Sequence, residues 1–201
     1  MQELTLQQGK ALVVVAHPDD ETIWMGGTML RYSHIKWTIF VLSRQSDPDR
    51  MPKFQKVAAF YKARGIICDL EDEGIMTIEQ SIPKIKRIIR NELKPKKFNY
   101  IFTHAYNGEY GHSRHKGVHR AVTQMIKAKE LVAPNHFYFA YILNTKKGIA
   151  QPQKISDFFI TLSTREFQKK RTIIKKLYGF GQSSFENRSC AKIEKFNSFK
   201  S

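Results

Sequence analysis

Two short segments carry residue types that a hydrophobic core cannot hold without compensation. The first is "VVVAHPDDETIW", Val13 to Trp24, where a β-branched run breaks directly into His17, Asp19, Asp20 and Glu21. The second is "HAYNGEYGHSRH", which carries His104, Glu109, His112 and His115, with His119 one turn later. Histidine nitrogen and carboxylate oxygen are the donors that Zn2+ prefers, and a catalytic zinc takes three protein donors and leaves one position open. His17 and Asp20 lie three residues apart on a turn stiffened by Pro18, so they can reach one ion. The third donor must come from the histidine-rich segment. Spacing alone leaves His104, His112, His115 and His119 open, with His112, His115 and His119 near one helical face. The plainer reading of Asp19 or Asp20 is a helix N-cap.

The elements that must position these residues follow from hydrophobic periodicity. "ALVVVA" (11–16) predicts a strand buried on both faces, and residues 22–34 predict a helix. Strands are expected at 37–43, 65–70 and 98–104, with helices through Phe54–Tyr61, Ile82–Leu93 and Lys116–Ala128. Later strands are expected in "HFYFAYI" and "ISDFFITLS", joined by a polar connector. A helix is then expected through "TREFQKKRTIIKKLYGFG". Strands alternating with helices predict a single α/β domain over residues 1–201, a Rossmann-like three-layer sandwich with a mainly parallel sheet. In such sheets ligands bind beyond the carboxyl ends of strands. The first segment leaves strand one and the second leaves strand four, so both are expected at one sheet edge.

"AHPDDE" (Ala16–Glu21) followed by "GEYGHSRH" resembles the PIG-L / LmbE-like family of zinc-dependent N-deacetylases. The resemblance runs through most of the chain. It implies His17, Asp20 and His115 as ligands of one zinc per chain, Asp19 as general base, and His112 as oxyanion stabiliser or proton donor. It also implies a substrate of N-acetylglucosamine type, an amino-sugar conjugate. The second motif departs from the family's usual His-Pro-Asp-His: here it reads His112-Ser113-Arg114-His115. Arg114 thus stands where an acid could have steadied His112, and Glu109 is a candidate replacement. Arg50, in the turn "SDPDRMP", is expected to touch substrate, as are Glu109 and Tyr110.

Bulk composition narrows the setting. The 201 residues are 41% hydrophobic and 26% charged, ordinary for a globular domain. No apolar run approaches the roughly 18 residues of a membrane span. Cys68 and Cys190 form no CxxC pattern, and "MQELTLQQGK" lacks the features of a signal peptide, so a cytoplasmic protein is expected. Lys plus Arg is 34 against 18 for Asp plus Glu, a formal net charge of +16. That surplus favours an anionic conjugate or peripheral contact with an anionic surface. Oligomeric state is not legible. Two alternatives are a zinc hydrolase acting on another acylated amine and a non-catalytic nucleic-acid binder. The second is disfavoured, because the aromatics do not interleave with the basic runs as a stacking platform requires.

Overall fold

A computed structural model describes residues 1–199. After a short strand β1 (Gln2–Glu3), the predicted alternation begins: β2 (Lys10–Val15), α1 (Asp20–Arg31), β3 (Lys36–Val41), α2 (Arg50–Phe60), β4 (Arg64–Ile67), α3 (Ile78–Glu92) and β5 (Tyr100–Thr103). A short helical segment α4 (Gly108–Gly111) and the longer α5 (Ser113–Lys127) follow, then β6 (Asn135–Phe139). The predicted strand through "HFYFAYI" divides at Ala140. β6 stays in the main sheet, whereas β7 (Tyr141–Asn144) leaves it and pairs with β8 (Ile149–Pro152), which lies inside the expected connector. β9 (Phe158–Thr161), α6 (Thr164–Thr172), a π-helical turn (Ile173–Leu177), α7 (Phe185–Ser189) and β10 (Ile193–Ser198) complete the described chain.

The main sheet has eight strands in the order β1-β9-β10-β6-β5-β2-β3-β4. Five of its seven pairings are parallel, and the two made by β10 are antiparallel. Strand β2 explains the layering. Ala11, Val13 and Val15 pack with α1 and α2 through Trp24, Met29, Phe54 and Val57. Leu12 and Val14 pack on the other face with α3 and α5 through Ile85, Ile89, Val118 and Val122. Period-two alternation with both faces apolar is what a strand covered by helices on each side requires. After β4 the chain crosses back over β2 to form β5, so the order reverses between β2 and β5. The loops leaving these two strands diverge there and open a crevice, the usual ligand position in such sheets.

Helix α1 begins at Asp20, two residues earlier than its apolar pattern suggests, and it is broken at Met25 (φ −146°, ψ 17°). The break frees the amides of Gly27 and Thr28, and Glu194 of β10 accepts from both, at 2.8 and 2.7 Å. Glu194 also accepts from the Thr28 hydroxyl at 2.6 Å and from Lys170 Nζ at 2.7 Å. Lys170, although it stands in the basic run Lys169-Lys170-Arg171, is therefore fully buried, as is Glu194. Gly27 lets Leu162 pack closely against the break, since a Cβ there would come within 2.3 Å of the Leu162 side chain. Removing one partner of such a buried pair leaves an uncompensated charge. Glu194→Ala is expected to cost about 3–5 kcal/mol of stability, measured by denaturant unfolding. Adding Lys170→Met to that variant should recover part of the loss.

Candidate active site

The turn between β2 and α1 is held in a conformation that side chains rarely adopt. Asp19 has φ 118°, which costs of order 1–3 kcal/mol and persists only where neighbours over-determine it. Glu21 supplies much of that determination. Its Oε2 accepts the Asp19 amide at 3.1 Å, and its Oε1 accepts the Thr22 and Tyr178 hydroxyls at 2.7 and 2.8 Å. Burial pushes the Glu21 carboxyl up to about 7. Asp19 occupies the N-cap position of α1, yet its side chain makes no capping bond. Its carboxylate lies 3.4 Å from Arg50 Nη1 instead. Burial, and then the charge of Asp20, push the Asp19 carboxyl well above its ordinary range.

Asp20 faces the other way. Oδ1 accepts from the buried Trp24 indole at 2.8 Å and Oδ2 from the His17 amide at 2.9 Å. Oδ2 also lies 3.2 Å from His17 Nδ1 and 3.4 Å from His115 Nε2, and those two nitrogens are 3.2 Å apart. Three donor atoms with these separations match one face of a tetrahedron whose centre is about 2.0–2.1 Å from each, the bond length of zinc to nitrogen or oxygen. Burial opposes ionisation of Asp20, but the imidazoles of His115 and His104 hold it well below its usual range.

The second segment folds against this turn. Thr103 ends β5, and α4 and α5 carry the histidines back over the sheet edge. Among the described residues, two further groups overlap the His17–Asp20–His115 trio within ligand range: His17–His112–His115 and Asp20–His104–His115. His104 is otherwise engaged, because its Nε2 accepts the Ala16 amide at 3.0 Å and its Nδ1 lies 2.8 Å from Glu109. His119 sits outside the cluster, with Nδ1 on the His104 carbonyl at 2.9 Å and its ring on Tyr138. His112 Nδ1 accepts the Arg114 amide at 3.3 Å, which leaves Nε2 as the protonated nitrogen of the neutral ring. Burial, then the charges of His115 and His17, lower His112 to about 4, so it stays neutral near pH 7.

Glu109 is placed differently from its expected position. Its carboxylate is buried, with Oε2 2.6 Å from His115 Nδ1 and 2.8 Å from His104 Nδ1, and Oε1 accepting the Ala105 amide at 2.8 Å. It therefore neither steadies His112 nor faces a substrate. It fixes the ring of His115 from behind, as carboxylates behind metal-binding histidines commonly do. Burial opposes its ionisation, but the charge of His104 lowers it to about 2. Arg50 and Tyr110 do border the crevice, a cleft of about 360 Å³ also lined by His17, Asp19, Asp72 and His112. Arg50 lies over the Phe180 ring, 4.6 Å from its centroid, and Tyr110 packs on Phe185 with ring centroids 4.7 Å apart. Asp72, which no sequence pattern singled out, lies 3.0 Å from His17 Nε2.

Three comparisons bear on this arrangement. The protein L374 of Acanthamoeba polyphaga mimivirus is 23% identical over 194 residues, spanning 88% of this chain and 78% of that one. The N,N'-diacetylchitobiose deacetylase of Pyrococcus horikoshii superposes with a TM-score of 0.66 at 13% identity, covering 94% of this chain and 83% of that one. GalB, the 4-carboxy-2-hydroxymuconate hydratase of Pseudomonas putida KT2440, gives 0.65 at 15% identity, covering 96% of each. A deacetylase and a hydratase thus share the fold, so architecture alone does not select the reaction. The family model described as GlcNAc-PI de-N-acetylase matches residues 12–126, more than half of the chain and both histidine–acid segments, and the protein belongs to this PIG-L family.

Proposed function

We propose that the protein is a zinc-dependent hydrolase that removes the N-acetyl group from an N-acetylglucosamine-type amino-sugar conjugate. The observation that carries this reading is the set of three donors, His17 Nδ1, Asp20 Oδ2 and His115 Nε2, separated by 3.2–3.4 Å beside a carboxylate that makes no ligand-like contact. One zinc held by these three would lower the pKa of a bound water to about 7 and polarise the amide carbonyl. The chain's own groups do the rest. Asp19 in its carboxylate form, which a cation at the neighbouring donors would favour, takes a proton from the attacking water and returns it to the leaving amine. Asp20 cannot share that task, because the imidazoles and Trp24 occupy its oxygens. His112, neutral with its proton on Nε2, donates to the developing oxyanion. Arg50 and Tyr110 flank the cleft at positions suited to sugar hydroxyls and to the face of a sugar ring.

The cleft itself is not basic. Asp19, Asp20, Asp47, Asp72 and Glu186 line it against Arg44 and Arg50, and both arginines are paired with acids. We therefore assign a neutral acetylated sugar to the cleft and an anionic carrier to the positive field of the chain as a whole. Among the described residues no helix is long and apolar enough to cross a membrane, and we place the reaction in the cytoplasm.

Release of free amine from a panel of N-acetylglucosamine conjugates should be abolished by a chelator and restored by zinc. Silence from metal-loaded protein would remove the amino-sugar assignment. Asp19→Asn should keep its metal and lose roughly 10²–10⁴-fold in turnover; a fully active variant would take Asp19 out of the base role. For a phosphorylated conjugate, kcat/KM should fall as salt shortens the screening length below roughly 8 Å, while an uncharged conjugate should not respond.

A further inference from the structure

His17 can present a lone pair from Nδ1 only if Nε2 keeps its proton, and although the ring is partly exposed in the cleft, Nε2 itself is sealed from bulk water. Asp72 is the carboxylate placed to meet this need. Its Oδ1 is 3.0 Å from His17 Nε2, an ion-pair contact whose angle is not that of a hydrogen bond, and its side chain is 9% exposed. Asp72 stands in the segment between β4 and α3, 55 positions from His17 in sequence. Two arginines fasten it there. Arg44 Nη2 is 3.1 Å from Asp72 Oδ2. Arg114 Nε is 3.8 Å from Asp72 Oδ1, and its Nη2 is 3.1 Å from Glu71 Oε2. Glu71 in turn accepts the amides of Ile75 and Met76 at 3.2 and 3.0 Å, which folds the acidic segment onto Arg114.

Arg114 is 2% exposed. A guanidinium so deeply placed is tolerable only beside acids that balance it. The cation at position 114 and the acids at 71 and 72 therefore form one unit. The motif residue that departs from the usual acid is not a defect beside His112. Its guanidinium donates to Glu71 and lies 3.8 Å from the Asp72 carboxylate, close enough to balance its charge without a hydrogen bond.

We propose that Asp72 is the positioning residue of His17, accepting its Nε2 proton and aiming Nδ1 at the ion, and that Arg114 acts through Asp72. This rests on the reading of His17 as a metal ligand. With Glu109 behind His115, both histidine ligands would then be set by carboxylates, one from each side of the sheet-edge crevice.

The test is zinc affinity by competition with a chromophoric chelator, with the melting temperature of each metal-free variant recorded alongside. Asp72→Asn should weaken zinc binding roughly 10–100-fold, with metal-free stability close to wild type. Nitrogen chemical shifts of His17 in the metal-free variant, recorded at a pH where the ring is neutral, should show mixed tautomers. Asp72→Glu, which keeps the acceptor, should recover part of the affinity. Arg114→Met should weaken binding by a smaller factor, and adding it to Asp72→Asn should weaken binding no further. Wild-type affinity in Asp72→Asn overturns the proposal while leaving the zinc site intact. An additive loss in the double variant overturns the link through Arg114. A wild-type protein that takes up no zinc overturns this proposal together with the function on which it rests.

Discussion

Removing ionisable groups from water is the constraint around which this protein is built. At the end of β2 and β5, Asp20, Glu21, His104, Glu109 and His115 are all buried. Each would be expensive alone. Each is instead held by another: Glu109 by two imidazoles and an amide, Asp20 by an indole, an amide and two imidazoles, Glu21 by two hydroxyls and the Asp19 amide. The network leaves few degrees of freedom to the side chains facing the cleft. Preorganisation of this kind is what hydrolytic chemistry needs, because donors that are already aimed need not reorganise as charge develops.

The same accounting explains which parts of the molecule were legible in its residues. The apolar runs at 11–16 and 37–43 and the helix faces at 82–93 and 116–128 report burial directly, so the parallel core and the sheet edge could be located. The meeting of His17 and Asp20 with the histidine-rich segment followed from that edge, while the choice among its histidines came from the family resemblance. Partnerships that span the chain were not legible. Spacing could not separate His104 and His119 from His115, because what engages His104 is a hydrogen bond from the Ala16 amide. Glu109 looked like a cleft residue from its place in a loop, and only the turn at φ 58° carries it inward. Asp72 sits in an acidic run, "DLEDEG", whose members look alike until the arginines select among them. Lys170 sits in a basic run and was indistinguishable from its solvated neighbours.

Charge is distributed on two scales with opposite signs. The chain carries +16 overall, yet the cleft is lined by more acids than bases. A divalent cation would offset part of that local excess, and the wider positive field acts at longer range on anything approaching. The two features need not serve the same part of a ligand. A surface field governs encounter, whereas the acids at the centre govern chemistry.

The bond from Glu194 to Gly27 joins residues 167 positions apart. The first half of α1 carries Asp20 and Trp24, while the break that follows is capped from β10, one of the last segments in the described chain. During synthesis the residues that would hold a metal leave the ribosome long before the carboxylate that seals their helix. The chain would thus spend most of its time on the ribosome with the ligand turn present and its helix unsealed, and the site would reach its final geometry only after β10 had slotted between β6 and β9.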